Sequence, residues 1–119
     1  MRTYDIIKDR KIRMALVGCG RISANHFGAM EQHAEHIEVV DVCDVAPEAL
    51  AKAVARTGAR GHSSLRSLLD ATTADVVVLT TPSGLHPDQA VEIARSGRHV
   101  MTEKPMATRW HDGLRMVRA

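Results

Sequence analysis

Short apolar runs alternate along the chain with stretches in which apolar residues recur every three or four positions. The run Ile12 to Val17 reads as a strand, and Phe27, Met30 and Ala34 behind it fall at helical spacing. A second strand, Val39-Val40-Asp41-Val42-Cys43, ends at Asp44. Pro47 then suits the first turn of a helix carrying Leu50 and Val54, and Gly58 suits its C-terminal stop. A short helix starts near Ser64 with Leu65, Leu68 and Leu69 on one face. Asp75-Val76-Val77-Val78-Leu79-Thr80-Thr81 is a continuous, largely β-branched run of the kind buried on both sides. Pro82-Ser83-Gly84 ends it, and Pro87 opens a helix whose Ala90, Ile93 and Ala94 face the sheet before Gly97 terminates it. A further strand spans Arg98 to Thr102. Thr108 then caps a last helix bearing Trp110, Leu114 and Val117, with Trp110 expected as a core contact.

Strands that alternate with helices in this way predict an α/β fold, a parallel sheet with helices on both faces. The chain's 119 residues fit one domain, large enough for a core without disulfides or metal. A single Trp, Tyr and Phe leave that core to aliphatic side chains. The formal charge of +2 comes from scattered residues, which suggests neither nucleic acid nor an anionic membrane as partner. No run approaches a membrane span, and Met1 to Arg13 lack the apolar segment of a secretory signal. Cys19 and Cys43 have no metal-ligand spacing and read as reduced thiols of a cytoplasmic protein. His33, His36, His62 and His111 show no ligand spacing either, so no metal is expected; His26 and His99 are expected to be structural.

The chemistry concentrates where the first strand ends. In Gly18-Cys19-Gly20-Arg21-Ile22-Ser23, Gly18 can take the tight turn off the strand, and Gly20 has no Cβ to block close approach of a phosphate. The free N–H groups of the following helix attract the anion. Ser23 stands where Gly or Ala is usual and is small enough for close helix–strand packing. Asp44 lies 26 positions after Gly18, at the tip of the second strand, where a carboxylate can accept both hydroxyls of an adenosine ribose. The same carboxylate repels a 2′-phosphate, and Val45-Ala46-Pro47 offers no cation to hold one, so NAD is favoured over NADP. The architecture expected is therefore a Rossmann-type doubly wound sheet over residues 12–119, preceded by an N-terminal extension, residues 1–11.

Two later segments, Thr81-Pro82-Ser83-Gly84-Leu85-His86 and Gly97-Arg98-His99-Val100-Met101-Thr102-Glu103-Lys104-Pro105, narrow the picture. With the glycine turn and Asp44, they make the chain resemble the N-terminal domain of the Gfo/Idh/MocA family, sugar dehydrogenases of the glucose–fructose oxidoreductase and inositol dehydrogenase type. The resemblance implies that Lys104 sits beside the nicotinamide and the reacting hydroxyl, as the catalytic residue of this domain, and that Glu103 lies near the nicotinamide ribose. It implies that Thr81, Pro82 and His86 line the cofactor, with Gly18, Cys19, Gly20, Arg21 and Ile22 at its pyrophosphate, and that Pro105 follows a cis peptide bond. Within the family, Arg-Ile-Ser-Ala-Asn-His-Phe after the glycines and Lys-Pro-Met-Ala later look most like bacterial dehydrogenases of lipopolysaccharide gene clusters. Those enzymes oxidise the 3-hydroxyl of UDP-N-acetylglucosaminuronate, and full-length relatives form homo-oligomers.

The last helix runs to Ala119 with no Gly, Pro or polar stop, so the chain is expected to be the front part of a longer protein. The C-terminal substrate domain, with the family's catalytic Asp and His, is then absent, and the fragment alone is expected to be inactive. Two competing readings stay open on the residues: a noncatalytic dinucleotide-binding module, and a methyltransferase. The latter generally shows Gly-x-Gly-x-Gly, where this chain has Ile22 in the last position.

Overall fold

The period-2 alternation within each apolar run sends successive side chains into two separate cores. In the computed structural model, which describes residues 3–119, β1 (Ile12–Val17) turns Met14 and Leu16 to one face and Ala15 and Val17 to the other. β4 (Val76–Leu79) divides in the same way, Val76 and Val78 against Val77 and Leu79. On the first face lie Phe27 and Met30 of α1 (Ser23–Gln32) and Ala53 of α2 (Pro47–Thr57). On the second lie Leu68 of α3 (Leu65–Ala71) and Ala90 and Ile93 of α4 (His86–Arg95). Both faces are thus covered, as a sheet buried on both sides requires. Met1 and Arg2, the start of the expected N-terminal extension, lie outside the described residues.

β2 (Ile37–Cys43), β3 (Arg60–His62) and β5 (His99–Thr102) complete a five-stranded parallel sheet of order β3-β2-β1-β4-β5. The chain builds outward from β1 to one side, then crosses back to β4. That reversal leaves a crevice above the carboxyl ends of β1 and β4, the place where open α/β sheets take ligands. Helix signals act where the sequence puts them. Pro47 opens α2, Gly58 stops it with φ 71°, and Ser64 caps α3 by accepting the Ser67 N–H.

Several expectations need correction. Ala34 lies in an exposed turn beyond α1, because the helix ends at Gln32 and the chain folds back to start β2 at Ile37. β3, built from Arg60-Gly61-His62, carries no apolar pattern; Gly61 lies under α2, where a Cβ would meet Val54 at 2.9 Å and Leu50 at 3.3 Å. β4 stops at Leu79, so Thr80 and Thr81 belong to the loop that follows. The cap of α5 (Trp110–Arg118) is Arg109, with no side-chain bond from Thr108. Trp110 is 82% exposed and Val117 75% exposed, so neither is a core contact. α5 carries two apolar stripes, and Met116 docks on the core while Trp110 and Val117 face out.

One polar residue is sealed inside the sheet. The register between β1 and β2 shifts between Met14 and Ala15, making Val40 an extra residue and turning Asp41 toward the α3 side. Asp41 is 0% exposed. Its carboxylate meets His62 Nε2 at 2.8 Å and Arg60 Nε at 3.0 Å, and Thr72 also bonds to it. Burial pushes its carboxyl up, but those partners together outweigh it and hold the group below the ordinary Asp value of about 3.9. A carboxyl lowered by folding contributes stability above its unfolded value, and that contribution is lost as pH falls through the folded value. Asp41→Asn is therefore expected to cost about 1–3 kcal/mol at neutral pH. Urea unfolding at a series of pH values should show the gap to the parent closing below about pH 4. A gap independent of pH would show that the charge does not matter.

Candidate dinucleotide site

The candidate site gathers at the carboxyl ends of the strands, on the loops that leave them and the helices those loops enter. Gly18 leaves β1 with φ 95°, its N–H donating to the Cys43 carbonyl at 2.8 Å. A Cβ there would stand 2.8 Å from the backbone of Thr80 and Thr81, so only glycine passes between β2 and β4. The Thr80 hydroxyl bonds the Gly18 carbonyl and locks the turn from the other side. Gly20 differs: a Cβ would meet nothing within 4 Å, so the space beside it is open. Ser23 is buried and its hydroxyl bonds the Gly20 carbonyl, which closes the turn into α1. A serine at the third position thus serves the turn rather than disturbing it.

Asp44 is fixed by the same turn. One carboxylate oxygen accepts the Cys19 N–H at 2.7 Å, the other the Ala46 N–H at 2.8 Å. Its carboxylate and burial act together on the thiols beside it. Burial first, then the Asp44 charge, pushes Cys19 up to about 12 and Cys43 up to about 11. Both cysteines are free.

A cleft of about 550 Å³ gathers Gly18, Gly20, Asp44, Thr81 and Pro82. Gln89 joins them, accepting the Thr81 hydroxyl at 2.6 Å; it stands on α4 with no motif to mark it. Cys19 and Arg21 line instead a second groove, between α1 and α2, which meets the first at Gly20. Ile22 is 41% exposed at the start of α1. His86 is 1% exposed and does not line the cleft.

Glu103 continues β5, its N–H donating to the Leu79 carbonyl at 3.0 Å, which places Glu103 and Lys104 beside the Thr80-Thr81 loop. One Glu103 oxygen lies 2.6 Å from His26 Nε2, and the other accepts the Lys104 N–H at 3.3 Å. The His26 bond, aided by the Lys104 N–H and the charges of both residues, holds the Glu103 carboxyl below its ordinary range. His26, expected to be structural, therefore joins α1 to the Glu-Lys-Pro loop; its place one turn into the helix after the glycines was the available signal. His99 lies at the opposite end of β5, its ring 4.7 Å from that of Tyr4. Lys104 is exposed, and the Lys104–Pro105 bond is cis.

These features suit a dinucleotide: an open space at Gly20, the N-terminus of α1 beside it, and a carboxylate at the tip of β2. Among the described residues no helix is long and apolar enough to cross a membrane.

Comparison with known proteins agrees with the geometry. The WlbA dehydrogenase from Chromobacterium violaceum, solved with NADH and UDP-GlcNAcA, superposes with a TM-score of 0.98 at 64% identity, over 99% of this chain and 34% of that one. The Bordetella pertussis WlbA dehydrogenase, solved with the same two ligands, gives 0.93 at 62% identity, over 95% and 34%. A 4-carboxy-2-hydroxymuconate-6-semialdehyde dehydrogenase from Sphingobium is 32% identical over 103 residues, 85% of this chain and 32% of the relative. The chain thus spans about a third of the length of the relatives it matches. The model of an oxidoreductase family with an NAD-binding Rossmann fold matches residues 12–119. The chain belongs to that family, the Gfo/Idh/MocA oxidoreductases.

Proposed function

We propose that this chain is the cofactor-binding part of an NAD-dependent nucleotide-sugar dehydrogenase, acting on the 3-hydroxyl of UDP-N-acetylglucosaminuronate in lipopolysaccharide synthesis. The observation that carries this reading is the 64% identity, across 99% of the chain, to a dehydrogenase captured with NADH and UDP-GlcNAcA. Identity of 32% to an enzyme of a different substrate fixes the family and leaves the substrate open. The free thiols, Cys43 buried and Cys19 half-buried, are consistent with a reducing cytoplasm.

NAD supplies the hydride acceptor when bound. Gly20 would admit its pyrophosphate at the start of α1, with Gly18 shaping the turn, and Asp44, oriented by two N–H groups, would accept from the adenosine ribose. Glu103, held by His26, would meet the nicotinamide ribose. The Lys104 ammonium stabilises charge developing on the substrate oxygen as a general base takes its proton. The decisive experiment replaces the matching third of the Chromobacterium violaceum enzyme with this chain. Oxidation of UDP-GlcNAcA to its ketone by the chimera, followed by mass spectrometry, is expected; binding of NAD without oxidation would return the chain to the noncatalytic reading.

Four substitutions test the assignments. Gly20→Val should keep a cooperative melt and abolish NAD binding, because the side chain fills the open space. Gly18→Ala, by contrast, should cost at least about 2 kcal/mol in stability through its positive φ and the clash with Thr80. Retained NAD affinity in Gly20→Val would place the pyrophosphate elsewhere.

Asp44→Ala should weaken NAD binding by about ten- to a hundredfold, the worth of a charge-assisted hydrogen bond, and erase any preference over NADP. Calorimetric titration with both cofactors checks this. Equal affinities in the parent chain would refute it.

Lys104→Ala in the chimera should lower turnover about a hundredfold or more while NAD affinity changes little. Near-normal turnover would reduce Lys104 to a strand-end lysine.

A further inference from the structure

We propose that His86 is a positioning residue that sets the separation of two loops, one carrying Thr81 and Pro82 of the cleft wall, the other Lys104. The proposal rests on the role given to Lys104 above. His86 begins α4 and is 1% exposed, so its ring reaches neither solvent nor the cleft. Its Nδ1 lies 3.0 Å from the Pro105 carbonyl oxygen and its Nε2 2.8 Å from the Thr81 carbonyl oxygen. A carbonyl only accepts, so the ring holds both oxygens by hydrogen bonds only with a proton on each nitrogen; a neutral ring donates to one of them.

The two carbonyls belong to different loops. The ladder between β4 and β5 ends where the Glu103 N–H donates to Leu79, and among the described residues no backbone bond joins the loops beyond that point. His86 is the next link between them. Thr81 stands in the cleft wall, and Pro105 follows Lys104 directly, so the ring spans from the cleft wall to the residue after the lysine. An aliphatic side chain of similar volume would fill the same space and bond neither loop. Misplacing a reacting group by about 1 Å costs about a hundredfold in rate, which makes this span a determinant of turnover.

Asparagine and glutamine separate the two bonds. In His86→Asn the amide nitrogen stands near Nδ1 and keeps the bond to Pro105; in His86→Gln it stands near Nε2 and keeps the bond to Thr81. Amide hydrogen exchange on the full chain should show residues 103–107 opening at least about tenfold faster in His86→Gln and residues 81–85 doing so in His86→Asn, one lost hydrogen bond each. His86→Leu should loosen both loops. In the chimera, His86→Gln should lower kcat at least about tenfold with NADH affinity within about threefold, and His86→Asn should restore kcat. Equal loosening of both loops in all three variants would mean that the ring only fills space, and unchanged exchange would mean that it links nothing; either overturns the proposal. A chimera inactive before any substitution would instead refute the dehydrogenase reading, and the exchange pattern would still decide whether His86 spans the loops.

Discussion

At Gly18 the main chain leaves the central strand through a gap one backbone wide. Cys43 of β2 holds it on one side and Thr80 on the other, and no side chain fits between them. This passage aims the turn, so that the next N–H, that of Cys19, meets Asp44 and the N-terminus of α1 points across the crevice. Gly20 then comes to rest beside open space. The two glycines thus differ: Gly18 answers to the protein's own backbone, whereas nothing lies within 4 Å of a Cβ at Gly20. The topology depends on the same passage, because β1 can pair with β2 and β4 at once only if the chain exits between them.

Carboxylates tie together loops that the ladder does not reach. At the carboxyl ends, Asp44 joins β2 to the glycine turn, and Glu103 joins the end of β5 to α1 through His26. At the opposite end, Asp75 receives both terminal nitrogens of Arg10 and the Arg13 N–H, which binds the segment before β1 to the start of β4. The Arg10 bond first, then the Arg13 N–H, holds the Asp75 carboxyl below its usual range against the effect of burial. The Cys19 and Cys43 thiols, pushed up to about 12 and about 11, stay neutral in this setting. A thiolate beside the glycine turn would oppose a diphosphate; a neutral thiol does not.

Legibility followed the physical origin of each feature. The runs forming β1, β2 and β4 were visible because burial on both faces demands continuous apolar sequence. Pro47, Gly58 and Ser64 marked helix ends because their roles are local. β3 was invisible, since an edge strand packed through a glycine needs no apolar residues of its own. On α5, spacing alone identified an apolar stripe at Trp110 and Val117, but which stripe docks depends on the neighbours, and Met116 won. Asp41 read as part of an apolar run, and its burial follows from a one-residue shift in pairing and from partners on β3 and α3's end.

By itself the sequence determined the fold class, the glycine turn, Asp44 as its acidic partner and the Glu103-Lys104-Pro105 signature, because each is written in contiguous residues with local conformational or chemical requirements. Only the tertiary structure decided which side chains meet across loops: His26 with Glu103, Gln89 with Thr81, and His86 with the carbonyls on either side of it. Those contacts join residues from 5 to 77 positions apart. Their existence depends on the order in which the strands lie side by side, which no single segment encodes.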